Sequence, residues 1–167
     1  VENEEENIEK QDCEIKAFYR MAKRIKEQYP KLPIIISGDA LYACEPVITT
    51  CVDNKWEYIL RLKDGRLKLL VEEIEGLEKA EIEEKNIRYW NEVKYGEVQR
   101  EKRANVLKFY ENKKDKVTEF MWITSILITE KNKETLVYFG RQRWKIENEG
   151  FNMQKNGTFD IEHIYSK

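Results

Sequence analysis

The sequence predicts an α/β domain. Three observations carry that expectation: an amphipathic helical pattern near the start, a strand–helix–strand unit behind it, and a β-rich middle that returns to helical spacing before the end. At 167 residues, with 41% hydrophobic and 37% charged side chains, the chain has the length of one domain and enough apolar content for a real core.

The opening "VENEEENIEK" has too little apolar content for a core element and reads as a strand end and loop or a frayed terminus. From about Asp12 to Gln28, residues Ala17, Phe18, Met21, Ala22 and Ile25 recur at helical spacing. Asp12 is placed as the N-cap of this helix, and Pro30 lies beyond its end. Pro33 then introduces "IIIS", a continuous β-branched run of the kind found in a strand buried on both faces. It stops at "GDALYA", which sets Asp39 at the strand's C-terminal end. Glu45-Pro46 opens a second helix with proline in its first turn, running to about Asn54, and "WEYILRLK" reads as the next strand. A strand–helix–strand unit this short has a right-handed crossover and parallel strands, and in parallel sheets functional groups gather beyond the strands' C-terminal ends. Asp39 therefore stands in a functional position, although a carboxylate there is equally suited to form a turn or cap the next helix.

Residues 66–84 form an acidic helical pattern on Leu67, Leu70, Val71, Ile74 and Leu77. Longer strands are expected over 87–95, 97–110 and 116–129, with Gly96 as a hairpin turn. Strand propensity is plain in "FMWITSILIT", whereas "EVQREKRANVLKFY" fits either period and is read as strand. A last helix is expected from about Lys131 to Lys155, ending near Asn156-Gly157.

Composition narrows the function classes. No apolar run approaches the roughly 18 residues of a membrane span and no signal-peptide pattern is visible, so a cytoplasmic protein is expected. Three cysteines without a C-x-x-C pair argue against a disulfide framework or a zinc site; Cys44 and Cys51, seven apart, are expected on one buried helix face. His163 is the single histidine, which excludes multi-histidine metal sites and disfavours histidine-dependent nucleophilic catalysis. The net charge is −2, but it is unevenly spread. Residues 1–14 hold seven acids against Lys10, while residues 85–116 hold ten Lys/Arg against five Asp/Glu. That basic middle suits contact with phosphates, or an ordinary solvated sheet face.

In "RQRWKIENEGFNMQKN", residues 141–156, Arg143 and Glu147 are four apart and project from one helix face, with Asn148, Phe151 and Lys155 beside them. The plainest role of such a pair is a solvated salt bridge worth roughly 0.2–0.5 kcal/mol. The sharper one is a metal-binding acid beside phosphate-binding cations, and it needs a partner elsewhere in the chain.

The strand-end aspartate of "IIISGDALYACEP", followed about a hundred residues later by "RQRWKIENEGFN", resembles the catalytic domain of a DDE transposase of the bacterial insertion-sequence type. The resemblance covers essentially the whole chain. It implies an RNase H-like fold in residues 1–64 and 131–167, interrupted by a mainly β insertion over 65–130, with Asp39 as the second acid of the Asp-Asp-Glu triad and Glu147 as the third. The family's signature is tyrosine, two residues, arginine, three residues, glutamate, six residues, lysine. Arg143 and Glu147 match it; Gly140 stands at the tyrosine position with Tyr138 nearby, and Gln154 at the lysine position with Lys155 one further on. The resemblance implies Mg²⁺ (or Mn²⁺), two ions about 3.5–4 Å apart in a complete domain, held by Asp39 and Glu147 as ligands. Arg143 would orient the glutamate or clamp a phosphate, and Lys155 and Arg141 would lie on the DNA backbone. The implied partner is double-stranded DNA, at transposon ends and target, met by a nucleoid-associated homo-oligomer. Trp90 and Trp122 are placed either in the core or in stacking on unpaired bases.

The family's first aspartate lies on a strand upstream of the first helix, a position that here falls before Val1; Asp12 lacks the preceding hydrophobic strand. The expectation is an N-terminally truncated domain that holds metal poorly and cuts DNA little or not at all by itself. "PIIIS" would then lack a neighbour on one side and favour self-association. Two other readings stay open: a non-catalytic DNA-binding or regulatory remnant, and an RNase H-like nuclease that acts without transposition.

Overall fold

A computed structural model describes residues 10–63, 65–79, 86–95, 102–113 and 116–145. In chain order they form α1 (Lys10–Gln28), β1 (Ile35–Gly38), α2 (Glu45–Asp53), β2 (Glu57–Leu62), α3 (Lys68–Lys79), β3 (Ile87–Tyr95), β4 (Lys102–Lys113), β5 (Lys116–Thr124) and α4 (Lys133–Lys145). The result is a mixed α/β fold on one five-stranded sheet of order β1-β2-β5-β4-β3. β1 and β2 pair in parallel, Gly38 opposite Leu60, as the short crossover requires. β2–β5, β5–β4 and β4–β3 are antiparallel, so the β-rich middle continues the same sheet by laying β5 on β2.

Alternation along β2 divides the core. Tyr58, Leu60 and Leu62 face α1, α2 and α3, where they join Phe18, Ala22, Val47, Cys51, Leu70, Ile74, Val106, Met121 and Ile123. Ile59 faces the other way and packs with Leu107, Trp122 and Ile128 against Leu136 and Val137 of α4. The ambiguous segment is strand because it pairs with β3 and β5, and its buried run sets Ala104, Val106 and Lys108 on one face and Asn105 and Leu107 on the other.

Several expectations are corrected. α1 already includes Lys10, so Asp12 lies inside the helix and not at its N-cap. β1 is not buried on both faces: Ile35 is 52% exposed and Ser37, on the same face, is exposed too, while Ile36 and Gly38 face the core. Cys44 is the N-cap of α2 in extended backbone and only partly buried, so it lies outside the helix proper, but it packs against the same core as the buried Cys51. β5 stops at Thr124, short of 129, since the Thr124 hydroxyl donates to the Tyr58 carbonyl at 2.6 Å and accepts the Ile126 N–H at 3.1 Å. That double bond turns the chain out of the ladder. α3 begins only after Leu67, which takes positive φ. Gly96 and the stretch from 146 to 156 lie outside the described residues.

One polar cluster ties α3 to the sheet. Lys108 is 4% exposed on the α3 face of β4 and is held by Glu78 at 2.6 Å and Glu119 at 3.2 Å. Glu78 also receives Arg88 at 3.0 Å and the Tyr110 hydroxyl. Burial alone would raise the Glu78 carboxyl, but the hydrogen bonds from Lys108 and Tyr110 outweigh it and hold the carboxyl below its ordinary range. Burial likewise works against the charged Lys108, and its hydrogen bonds to Glu78, Tyr110 and Glu119 outweigh that and raise it. No helix among the described residues is long and apolar enough to cross a membrane.

Candidate active site

Asp39 leaves β1 immediately after Gly38. Its Oδ1 accepts the Leu41 N–H at 2.9 Å and its carbonyl accepts the Tyr42 N–H at 3.1 Å, a tight turn that fixes the carboxylate at the strand mouth. Gly38 makes the turn possible, because a Cβ there would come within 2.9 Å of the Tyr42 Cβ. The carboxylate is half-buried.

α4 arrives at the same end of the sheet. β5 runs antiparallel to β2 with Thr124 opposite Ile59 and Met121 opposite Leu62, so α4 starts near the beginning of β2. It then runs back over β5: the Trp122 indole N–H donates to the Gly140 carbonyl at 3.2 Å, and Arg141 lies 5.1 Å over the Phe120 ring. Its direction is therefore that of β1 and β2, and its last turn points to the end where Asp39 emerges. Arg143 stands in that last turn, its side chain outside the described part of the molecule; Glu147 and Lys155 lie outside the described residues.

Gly140 has a structural reason. A Cβ at this position would lie 2.6 Å from Trp122 Cε2, so the helix backbone rests directly on the indole and the signature tyrosine would have no room. Trp122 is 1% exposed and is a core residue, not a surface on which bases stack; Trp90 packs, partly buried, against the opposite core. Arg141 is held by Glu111 at 2.6 Å and rests on the Phe109 and Phe120 rings, so contact with DNA would require it to leave Glu111.

Part of the basic middle is matched by acids. Lys102 pairs with Glu45, Arg103 with Glu92 at 3.5 Å, Arg88 with Glu78, and Lys108 with both Glu78 and Glu119. For Arg88 and Lys108 the positive charge is internal wiring, whereas the pairs of Lys102 and Arg103 lie at the surface. Arg61 is the feature the sequence reading passed over. Its guanidinium lies 4.6 Å over Phe120 and 5.2 Å over Trp122, one position beyond Leu60 and thus level with Asp39. Alternation in "WEYILRLK" places Arg61 on the α4 face, but does not show that two aromatics of a distant strand receive it.

Asp39 offers hard carboxylate oxygens, the donor chemistry that Mg²⁺ and Mn²⁺ prefer. No group of three or more His, Cys, Asp or Glu side chains among the described residues is placed to hold a metal ion. The family model for the transposase DDE domain, group 1, matches residues 5–161. No curated protein matches the chain.

Proposed function

The chain belongs to the transposase DDE domain family, group 1, and on that premise we propose that Asp39 and Glu147 are two metal ligands of an RNase H-like centre for cutting and joining DNA phosphodiesters. Transposases act on DNA and DDE domains generally use divalent metal ions. In this reading residues 1–64 and 131–167 supply the core and residues 65–130 the insertion. The observation that supports it most is the common direction of β1 and α4, which aims the last turn of α4 at the end of the sheet where Asp39 emerges.

Each residue has a defined task. The turn after Gly38 holds the Asp39 carboxylate outward, with one oxygen oriented by the Leu41 N–H. Trp122 fixes the height of α4 over the sheet and so the place where the chain continues toward Glu147. Arg143 steadies that glutamate or a phosphate, and Lys155 neutralises the DNA backbone. When bound, the two divalent ions activate the attacking oxygen and stabilise the leaving one. Self-association through β1, which among the described residues is bonded only to β2, belongs to the same reading.

Calorimetric titration with Mn²⁺ and nicking of supercoiled DNA test it together. The expected result is Mn²⁺ binding, and any Mn²⁺-dependent nicking, that Asp39→Asn and Glu147→Gln each remove. Nicking that survives both substitutions would contradict the assignment of the two acids. Mn²⁺ binding indifferent to Asp39→Asn would contradict the ligand assignment, and DNA binding without any metal site would favour the regulatory remnant.

A further inference from the structure

β2 ends at Leu62, whereas β5 continues back to Lys116, so the sheet carries a notch where β2 stops. The notch is a cavity of about 410 Å³ lined by Arg61, Leu62, Lys63, Val71, Glu119 and Met121. We propose that it is a phosphate subsite for the DNA backbone, with the Arg61 guanidinium and the Lys63 ammonium as its ligands. The proposal rests on the DNA-acting reading above and extends it to residues that reading does not use.

The two guanidiniums near Phe120 are not equivalent. Arg141 has a carboxylate, Glu111. Among the described residues the hydrogen-bond acceptor of Arg61 is a peptide carbonyl: its Nη2 donates to Glu119 O at 3.0 Å, and its Nη1, buried, has no partner. A buried guanidinium nitrogen without an acceptor is an unfavourable arrangement unless an anion completes it. Burial accordingly lowers its pKa to about 10, with Glu119 only partly restoring it. The Glu119 carboxylate that lines the notch is engaged by Lys108 at 3.2 Å, which leaves Arg61 and the exposed Lys63 to set the sign of the cavity. A small turn of the guanidinium over the Phe120 ring exchanges the unpartnered nitrogen toward an oxyanion in the notch, keeping the ring contact. Since Arg61 is level with Asp39 on the adjacent strand, a phosphate held there lies beside the strand end where the metal-binding acid emerges.

The test is anisotropy of a labelled duplex with the 167-residue chain over a range of NaCl concentrations. Lys63→Gln and Arg61→Gln are each expected to reduce the magnitude of the log K against log salt slope by about 1 and to weaken binding about eightfold at ~0.1 M salt. Lys23→Gln, on exposed α1, is the control and leaves both unchanged. Inorganic phosphate is the second probe and is expected to compete with the duplex in the unaltered chain but not in Lys63→Gln. If the chain binds DNA and neither substitution changes slope or affinity, the subsite is wrong and the DNA-acting reading stands. Phosphate binding through Lys63 with an unaltered DNA slope also overturns it, as a small-anion site only. If the chain shows no salt-dependent DNA binding, both fall. Should Arg61→Gln unfold the sheet, the exposed Lys63→Gln decides alone.

Discussion

Glu78→Ala is expected to lower folding stability by about 3–5 kcal/mol, the range for breaking a buried ion pair on one side. The substitution removes one acceptor from three groups at once: Lys108, Arg88 and the Tyr110 hydroxyl all direct hydrogen bonds at Glu78. Lys108 keeps Glu119 but stays on the covered face of β4, 4% exposed, so water does not replace the lost carboxylate. Urea unfolding at neutral pH measures the loss. The pH dependence follows from the sign of the shift. The folded Glu78 carboxyl lies below its unfolded value of about 4.3, so its contribution is complete above that pH and disappears as the pH falls through the folded value. The stability gap between the unaltered chain and Glu78→Gln is therefore expected to close on acidification below about pH 4. A gap that stays constant from neutrality to pH 3 would show that Glu78 acts by packing and not by charge.

Gly140→Tyr, which restores the signature residue, is expected to destabilise this chain by about 1–3 kcal/mol or more. A helix normally gains up to about 1 kcal/mol when glycine is replaced, so sequence propensity alone favours the change. The Trp122 indole decides otherwise, because any Cβ meets it at 2.6 Å and a buried ring surrounded by Ile59, Leu107 and Phe120 has little room to yield. Relief requires a lifted α4, which would also displace Arg143 in its last turn. A double-mutant cycle with Trp122→Ala separates the two effects. Trp122→Ala alone is expected to cost about 3–5 kcal/mol, and in that background Gly140→Tyr loses most of its penalty. An unchanged penalty in the cavity background would mean that Gly140 is required for something other than its contact with the indole.

Helices and strands whose apolar period was unbroken could be read directly. Phe18 and Ala22 of α1, and Tyr58, Leu60 and Leu62 of β2, all lie in the core their spacing assigns. Asp39 at the mouth of β1 was legible for the same reason, since a hydrophobic run that ends in Gly-Asp is a strand with its turn. Features made by distant contacts were not. β4 looked ambiguous because Lys108 occupies an inward position, and only Glu78, Tyr110 and Glu119 from other elements make that burial tolerable. The register shift between Trp90 and Val93, with Glu92 at positive φ, depends on Asn105 accepting the Glu92 N–H at 3.0 Å across the sheet. Gly140 stood out only as a departure from a signature; its cause is an indole eighteen residues earlier. In the basic middle, counting charges does not show that Arg88 and Lys108 are held by Glu78 from another element.

Paramagnetic broadening by Mn²⁺ in the NMR spectrum of side-chain-labelled chain tests the central claim most directly. The carboxyl resonances of Asp39 and Glu147 are expected to broaden together, at the same low metal occupancy, and both effects are expected to vanish in Asp39→Asn. Broadening of one without the other, or of both with independent titrations, would mean that the two carboxylates do not share an ion.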